Sequence, residues 1–331
     1  MSTVGSLAAV AFSASPDTDE SLAVPGGPVM AAAPEILTAE EVLVWRRALL
    51  RWGGRAVDLD WLLDLAGGLR WSALQALRLD PRRPVHLLQN RLALEALWRR
   101  HLESAEPLQY LVGRCPWRDL ELVVAPGVLI PRQDTEQLVE LALELAPPSL
   151  HDPGGALWAD LGTGSGCLAV ALAQALPCSE GLAVEISEAA QSIAAANLAA
   201  AGLAQRVRLL PGSWWEALRP WWGQLELVVS NPPYIPTAVI PTLAPVVRDH
   251  EPTLALDGGS DGLTAIRAIV AEAAEALAPG GVLVLEHHHD QSAAVMALLV
   301  GAGLAAPRAH RDLQGQWRFA SARSPRAMGA D

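Results

Sequence analysis

Residues 156–176 read ALWADLGTGSGCLAVALAQAL. An apolar run of strand character enters a loop in which Gly162, Gly164 and Gly166 alternate with small polar residues, and a helical run starts at once. Glycines let the backbone approach a ligand closely, and the N-terminus of the following helix offers free N–H groups. A dinucleotide fingerprint would need G-x-G-x-x-G, whose last glycine falls on Cys167, so that spacing fails. Downstream, GLAVEI (181–186), RVRLLP (206–211), LELVVS (225–230) and GVLVLE (281–286) read as further strands. Between or before them, EQLVELALELA (136–146), EAAQSIAAANLAAAGL (188–203) and LTAIRAIVAEAAEALAPGG (263–281) read as helices. Such alternation predicts an α/β fold with a doubly wound, mostly parallel sheet. The second strand ends in Glu185, 19 residues after Gly166, where an acid can accept hydrogen bonds from both hydroxyls of a ribose.

With Asp160 leading in, the loop over Gly162, Thr163, Gly164, Ser165 and Gly166 resembles motif I of the S-adenosylmethionine-dependent methyltransferases. The fourth strand runs into NPPY, Asn231–Tyr234. Proline cannot donate to a ladder, so the strand stops there, and ligands on such sheets sit outside the carboxyl ends of the strands. Asn231 is therefore expected to face the methyl donor. The chemistry suits a planar nitrogen, whose delocalised lone pair makes it a poor nucleophile. Orientation and acceptors for its two N–H bonds help, and the Asn231 side-chain oxygen with the Pro232 carbonyl can supply them. Pro233 and Tyr234 can pack on the planar group. The plainer alternative is an Asx-type turn with proline as a strand stop.

Six stretches together resemble the release factor glutamine N5-methyltransferases of the HemK/PrmC family. They are EPLQYLVG (106–113), LIPRQDTE (129–136), DLGTGSG (160–166), NPPYIP (231–236), DHEPTLALDGGSDGL (249–263) and LVLEHHHDQ (283–291). The resemblance covers about residues 36–320. It implies a Rossmann-like class I methyltransferase with a seven-stranded sheet, and a small N-terminal helical domain joined to it by a β-hairpin. Residues 1–35, rich in Ala, Ser, Pro and Gly, read as a disordered extension; after it come a helical substrate-recognition domain over 36–110, a hairpin linker over 111–130 and the methyltransferase domain over 131–325. The implied reaction methylates the glutamine of the Gly-Gly-Gln tripeptide in class I peptide-chain release factors with S-adenosylmethionine. By position, Gly162 to Gly166 line the methionine part of the cofactor, Glu185 holds the ribose, and Trp214 packs near the adenine. Asn231 touches both donor and substrate, and Asn231 to Tyr234 hold the glutamine amide, with Asn231, Pro232 and Tyr234 as the catalytic set. One departure is Ser213, where relatives commonly have Asp.

Composition bears on the alternatives. Formal net charge is -12 and every one of the 24 basic residues is arginine. Residues 36–118 carry a local +4, whereas residues 119–331 carry -12. A nucleic-acid amino-methyltransferase acting on adenine or guanine could use the same Asn-Pro-Pro-Tyr logic. It would need a basic face for a flipped base, and the acidic half argues against it, so no direct nucleic-acid contact is expected. A scaffold that binds cofactor without catalysis is disfavoured by an intact Asn231. Cys115, Cys167 and Cys178 share no metal-like spacing and read as reduced thiols. The consecutive histidines of HHHD (287–290) point in different directions, and Asp257 with Asp261 offers too few oxygens for calcium, so no metal is expected. Arg132 reads either as a structural anchor or as a cleft residue. VGSLAAVAFSASP lacks a preceding basic residue and is not read as a signal peptide, and Met30 is a candidate start of translation. No membrane span is expected. The expectation is a cytoplasmic monomer.

Overall fold

The computed structural model describes residues 33–325. The expected disordered extension and the alternative start at Met30 lie, as far as residue 32, outside the described residues; Glu35 already belongs to a strand. The chain opens with β1 (Glu35–Thr38), α1 (Ala39–Leu50), α2 (Ala56–Leu65), α3 (Trp71–Ala76), β2 (Pro84–Leu87), α4 (Arg91–Ser104) and α5 (Leu108–Val112). Thr38 with Glu41 three residues on reads in the sequence as a capping box, and Thr38 starts α1 as one. Its hydroxyl accepts from the Glu41 N–H at 3.2 Å, and the Glu41 carboxylate accepts from the Thr38 N–H at 2.7 Å. Trp45, Leu49, Leu62, Leu94 and Trp98 close one apolar core beneath these helices. Helical spacing in TAEEVLVWRRALLRWGG (38–54) sets Leu43, Trp45, Leu49 and Trp52 on an apolar stripe, yet Trp52 lies beyond the helix end and is 44% exposed, with the Arg99 guanidinium stacked over its ring. The antiparallel β1–β2 pair is absent from the helical reading of 36–110, because two four-residue strands carry no readable period.

A hairpin follows, β3 (Arg114–Trp117) and β4 (Leu120–Val123). The alternating stretch LELVVAPGVLI (120–130), broken at Pro126-Gly127, reads as a hairpin-like connector, but the hairpin turn lies at Arg118, which adopts a positive φ of 55°. The remaining elements are α6 (Glu136–Leu145), β5 (Leu157–Leu161), α7 (Cys167–Ala175), β6 (Glu180–Glu185), α8 (Glu188–Ala200), β7 (Val207–Pro211), β8 (Leu225–Ser230), α9 (Pro245–Arg248), α10 (Thr264–Ala276), β9 (Leu277–Glu286), α11 (Ser292–Gly301), β10 (Ala305–Arg311) and β11 (Trp317–Arg323). They form one seven-stranded sheet in the order β10-β11-β9-β8-β5-β6-β7. The five strands β5 to β9 are parallel; β11 alone runs antiparallel, between β9 and β10, so β10 shares the direction of the five. This is the Rossmann-like α/β arrangement expected.

Both faces of the sheet are covered, which is why its strands read as continuous apolar runs. Along β5 the side chains alternate between the two cores: Trp158 packs with Leu138, Leu172 and Phe319, while Ala159 and Leu161 pack with Trp215, Ile266 and Leu283. Trp158 needs Gly181 on the neighbouring strand, since a Cβ there would sit 2.3 Å from its ring. Because β5 lies between β6 and β8, successive crossovers leave it in opposite directions, and the crevice at its carboxyl end is where this architecture binds ligands.

One buried amide ties the hairpin to that crevice. Asn197 on α8 accepts from the Val123 N–H at 2.7 Å and donates to the carbonyls of Val123 and Ser165 at 3.0 and 2.8 Å. Asn197→Ala strands three buried backbone groups, each costing roughly 1–3 kcal/mol unless water reaches it. We predict a fall in thermal midpoint of about 5 °C or more by calorimetry; a midpoint within about one degree of wild type would show that the amide holds nothing.

Candidate active site

The glycine loop begins where β5 ends. Gly162, Gly164 and Gly166 all adopt left-handed backbone, with φ of 71°, 56° and 81°. The N–H groups of Gly162 and Thr163 donate to the Val184 carbonyl at 2.9 Å, which folds the loop back on β6. Glu185 closes β6. One of its carboxylate oxygens accepts from the Gly164 N–H and the other from the Ser187 N–H, each at 2.9 Å. The acid thus shapes the loop and keeps further lone pairs for a ligand. Below, Thr163 donates to Asp160 at 2.6 Å. Burial raises the Asp160 carboxyl to about 7 against that hydrogen bond, and its second oxygen finds no partner among the described residues.

Trp214 follows β7 and is held at φ 45°, a conformation few side chains adopt without tertiary support. The strain turns its indole against the loop: a Cβ on Gly162 would lie 3.1 Å from the ring. Ser213 lies beside it on the same wall.

The Asn231–Tyr234 corner follows the end of β8 and is held at its far side. The Ile235 N–H donates to the Leu256 carbonyl at 3.0 Å, and the Gly258 N–H donates to the Ile235 carbonyl at 2.8 Å. Gln291 donates from its amide to the carbonyls of Tyr234 and Gly262 at 2.9 and 3.2 Å. Beneath the motif runs a polar chain that sequence reasoning missed. The Asn231 amide donates to Thr135 at 2.9 Å, Thr135 donates to Glu286 at 2.8 Å, and the Tyr234 phenol donates to the other Glu286 oxygen at 3.0 Å. Burial raises the Glu286 carboxyl to about 7, against the hydrogen bonds from Thr135 and Tyr234. Burial, with that carboxyl beside it, pushes the Tyr234 phenol well above its ordinary range. Among the described residues, neither the Asn231 side-chain oxygen nor the Pro232 carbonyl receives a hydrogen bond.

These elements enclose a cleft of about 690 Å³. Of the expected residues, Gly162, Thr163, Gly164, Ser165, Glu185, Trp214, Asn231 and Pro233 line it. Gly166 does not; its missing Cβ instead lets α8 approach, with Ala194 3.3 Å from where that atom would be. Pro232 is buried behind the wall. Tyr234 faces a second cavity of about 510 Å³, shared with Trp61, Gln109, Cys115 and Asp134. Pro131 and Arg132 line both cavities. Arg132, left open by the sequence, donates to both oxygens of buried Glu251 at 2.8 Å while remaining about one-third exposed between the two spaces. Thr135 and Glu286 lie inside quoted motifs, but nothing in the sequence signals that residues 151 positions apart converge. Of the three histidines, His287 is buried with its ring on the His288 carbonyl, and His289 is exposed. Among the described residues no three potential ligands gather for a metal.

The wall fits a sulfonium nucleoside. The Glu185 carboxylate can accept from paired hydroxyls, the Trp214 indole can stack on a planar ring, and Gly164 has nothing within 4 Å of its Cβ position, leaving its backbone open to close approach.

The sequence profile of the methyltransferase small domain matches residues 144–243. A curated relative from Prochlorococcus marinus, named release factor glutamine methyltransferase, is 50% identical over 289 residues, covering 87% of this chain and 98% of the relative. A relative of the same name from Thermosynechococcus vestitus is 42% identical over 291 residues, covering 84% and 99%. Among solved structures, the "hMettl16 catalytic domain in complex with MAT2A 3'UTR hairpin 6" superposes with a TM-score of 0.51 at 14% identity, covering 75% of this chain and 87% of that one, a likeness of fold alone. Seven-stranded sheet, glycine loop and Asn-Pro-Pro-Tyr corner thus coincide with close similarity along nearly the whole length of these relatives, and the chain belongs to the release factor glutamine methyltransferase family of enzymes.

Proposed function

We propose that this enzyme methylates the side-chain amide nitrogen (N5) of the glutamine in the Gly-Gly-Gln motif of class I peptide-chain release factors, with S-adenosylmethionine as donor. The observation that supports it most is the pair of free acceptors at the Asn-Pro-Pro-Tyr corner, the side-chain oxygen of Asn231, which lines the cleft, and the carbonyl of Pro232, the buried residue next to it. A primary amide has two N–H bonds, and two fixed acceptors orient its nitrogen without deprotonating it. Acceptors also favour the positive charge that develops on nitrogen. Pro233 and the Tyr234 ring flank the planar group, Tyr234 from the side of the second cavity. When bound, S-adenosylmethionine supplies an electrophilic methyl group. Glu185 would hold its ribose, Trp214 its adenine, and the backbone from Gly162 to Ser165 its methionine part.

Residues 36–110 serve in this proposal as the unit that recognises the protein substrate. Trp61 and Gln109 support this role, since they reach the second cavity beside Tyr234. The enzyme would act as a cytoplasmic monomer without touching nucleic acid. Among the described residues, no helix is long and apolar enough to cross a membrane.

Incubation of a class I release factor with the enzyme and labelled S-adenosylmethionine, read by mass spectrometry, tests the proposal. One methyl on the Gly-Gly-Gln glutamine is expected, and a release factor with Glu at that position should take none; equal labelling of both would sink the assignment. Asn231→Ala should lower kcat by about 100-fold or more, since one preorganised polar group is worth that much. Near wild-type turnover would remove Asn231 from the chemistry. Glu185→Ala should raise the cofactor Kd by about tenfold or more in calorimetry, and an unchanged Kd would mean the ribose is held elsewhere.

A further inference from the structure

The groups beneath Asn231 carry a proton order. A side-chain amide has two ends of similar size and opposite hydrogen-bonding sense. Turned one way, Asn231 offers the cleft an acceptor; turned the other way, it offers donors, which a substrate N–H cannot use. Thr135 lies 2.9 Å from one end of that amide and 2.8 Å from Glu286. A carboxylate only accepts, so Thr135 must direct its single hydroxyl proton to Glu286. Thr135 can then only accept from Asn231, which brings the amide nitrogen to Thr135 and sends the oxygen away from it. Tyr234 is fixed by the same logic, because its phenol can only donate to the second oxygen of Glu286. Thr135 and Glu286 are 2% and 1% exposed, so bulk water does not compete for these bonds.

We propose that Glu286 and Thr135 are positioning residues: ionised Glu286 orders the Thr135 hydroxyl, and Thr135 locks the Asn231 amide with its oxygen toward the substrate amide. The inference rests on the methyl-acceptor reading above and adds a dependence on the charge of a group that touches neither reactant. Protonated Glu286 would have a proton to donate, Thr135 would be released from its obligation, and Asn231 could turn over. Several groups face this carboxyl. Thr135 from the start of α6 and Tyr234 from the corner after β8 donate to it, Arg318 on β11 favours its ionised form, and Asp134 opposes it. His287, next on its own strand, is buried with its ring on the His288 carbonyl. Burial places the transition at about 7. Since the ionised form is the ordered one, turnover should be full above that pH and fall as pH drops through it.

The test is kcat for release-factor methylation from about pH 5.5 to 9, with cofactor affinity by calorimetry, for wild type and three variants. Thr135→Val keeps the shape and removes the hydroxyl. It should lower kcat by about tenfold, with cofactor Kd and KM for the release factor within about twofold, and Thr135→Ser should recover most of the loss. Glu286→Gln removes the titrating carboxyl whichever end of its amide faces Thr135, and should flatten the acidic limb that wild type shows. Wild-type kcat in Thr135→Val, or an acidic limb unchanged in Glu286→Gln, would overturn the inference while leaving the substrate assignment standing. A wild-type enzyme that leaves the release factor unmethylated would overturn both.

Discussion

A parallel sheet leaves the carboxyl ends of its strands without ladder partners, and here β5 and β8 end side by side where successive crossovers diverge. Everything in the site depends on that constraint. The glycine loop leaves β5 and the Asn-Pro-Pro-Tyr corner leaves β8, so two loops far apart in the chain face one crevice. Glycine at left-handed positions lets the first loop turn tightly over the crevice, and proline ends the second strand without an orphaned N–H. The packing of both sheet faces then holds the two loops at a fixed separation.

Such a site is costly to fold. Asp160 and Glu286 are carboxyls without exposure, each raised by burial to about 7. Between the unfolded and folded values, folding must either bind a proton or bury a charge, so both groups stabilise the fold least at high pH. Both lie beside the cleft, Asp160 beneath the glycine loop and Glu286 beneath Asn231, and perturbed carboxyls cluster at functional sites. Trp214 is a comparable case, an indole held at positive φ against Gly162.

The parts that could be read in the sequence were those with local signals. The strand–glycine–helix stretch, the acid closing β6, the capping box at Thr38 and the proline corner each have a physical reason at short range. The last two strands carried no such signal: β10 is mostly half-buried or exposed at the sheet edge, and only the family resemblance implied a seventh strand. The β1–β2 pair and the true hairpin turn escaped for a related reason, since four-residue strands are too short for a period. Thr135, Glu286, Gln291 and Asn197 escaped because their importance lies in partners 29 to 151 positions away. Gly166 shows the converse, a motif residue whose backbone geometry serves helix packing outside the cleft.

What ties fold to chemistry is the orientation of one amide at the end of β8. A structure of the enzyme with S-adenosylhomocysteine and a Gly-Gly-Gln peptide would test this most directly. The account predicts the glutamine nitrogen toward the cofactor, with its two N–H bonds accepted by the Asn231 side-chain oxygen and the Pro232 carbonyl. A glutamine whose amide oxygen faces Asn231, or whose nitrogen lies away from both acceptors, would contradict it.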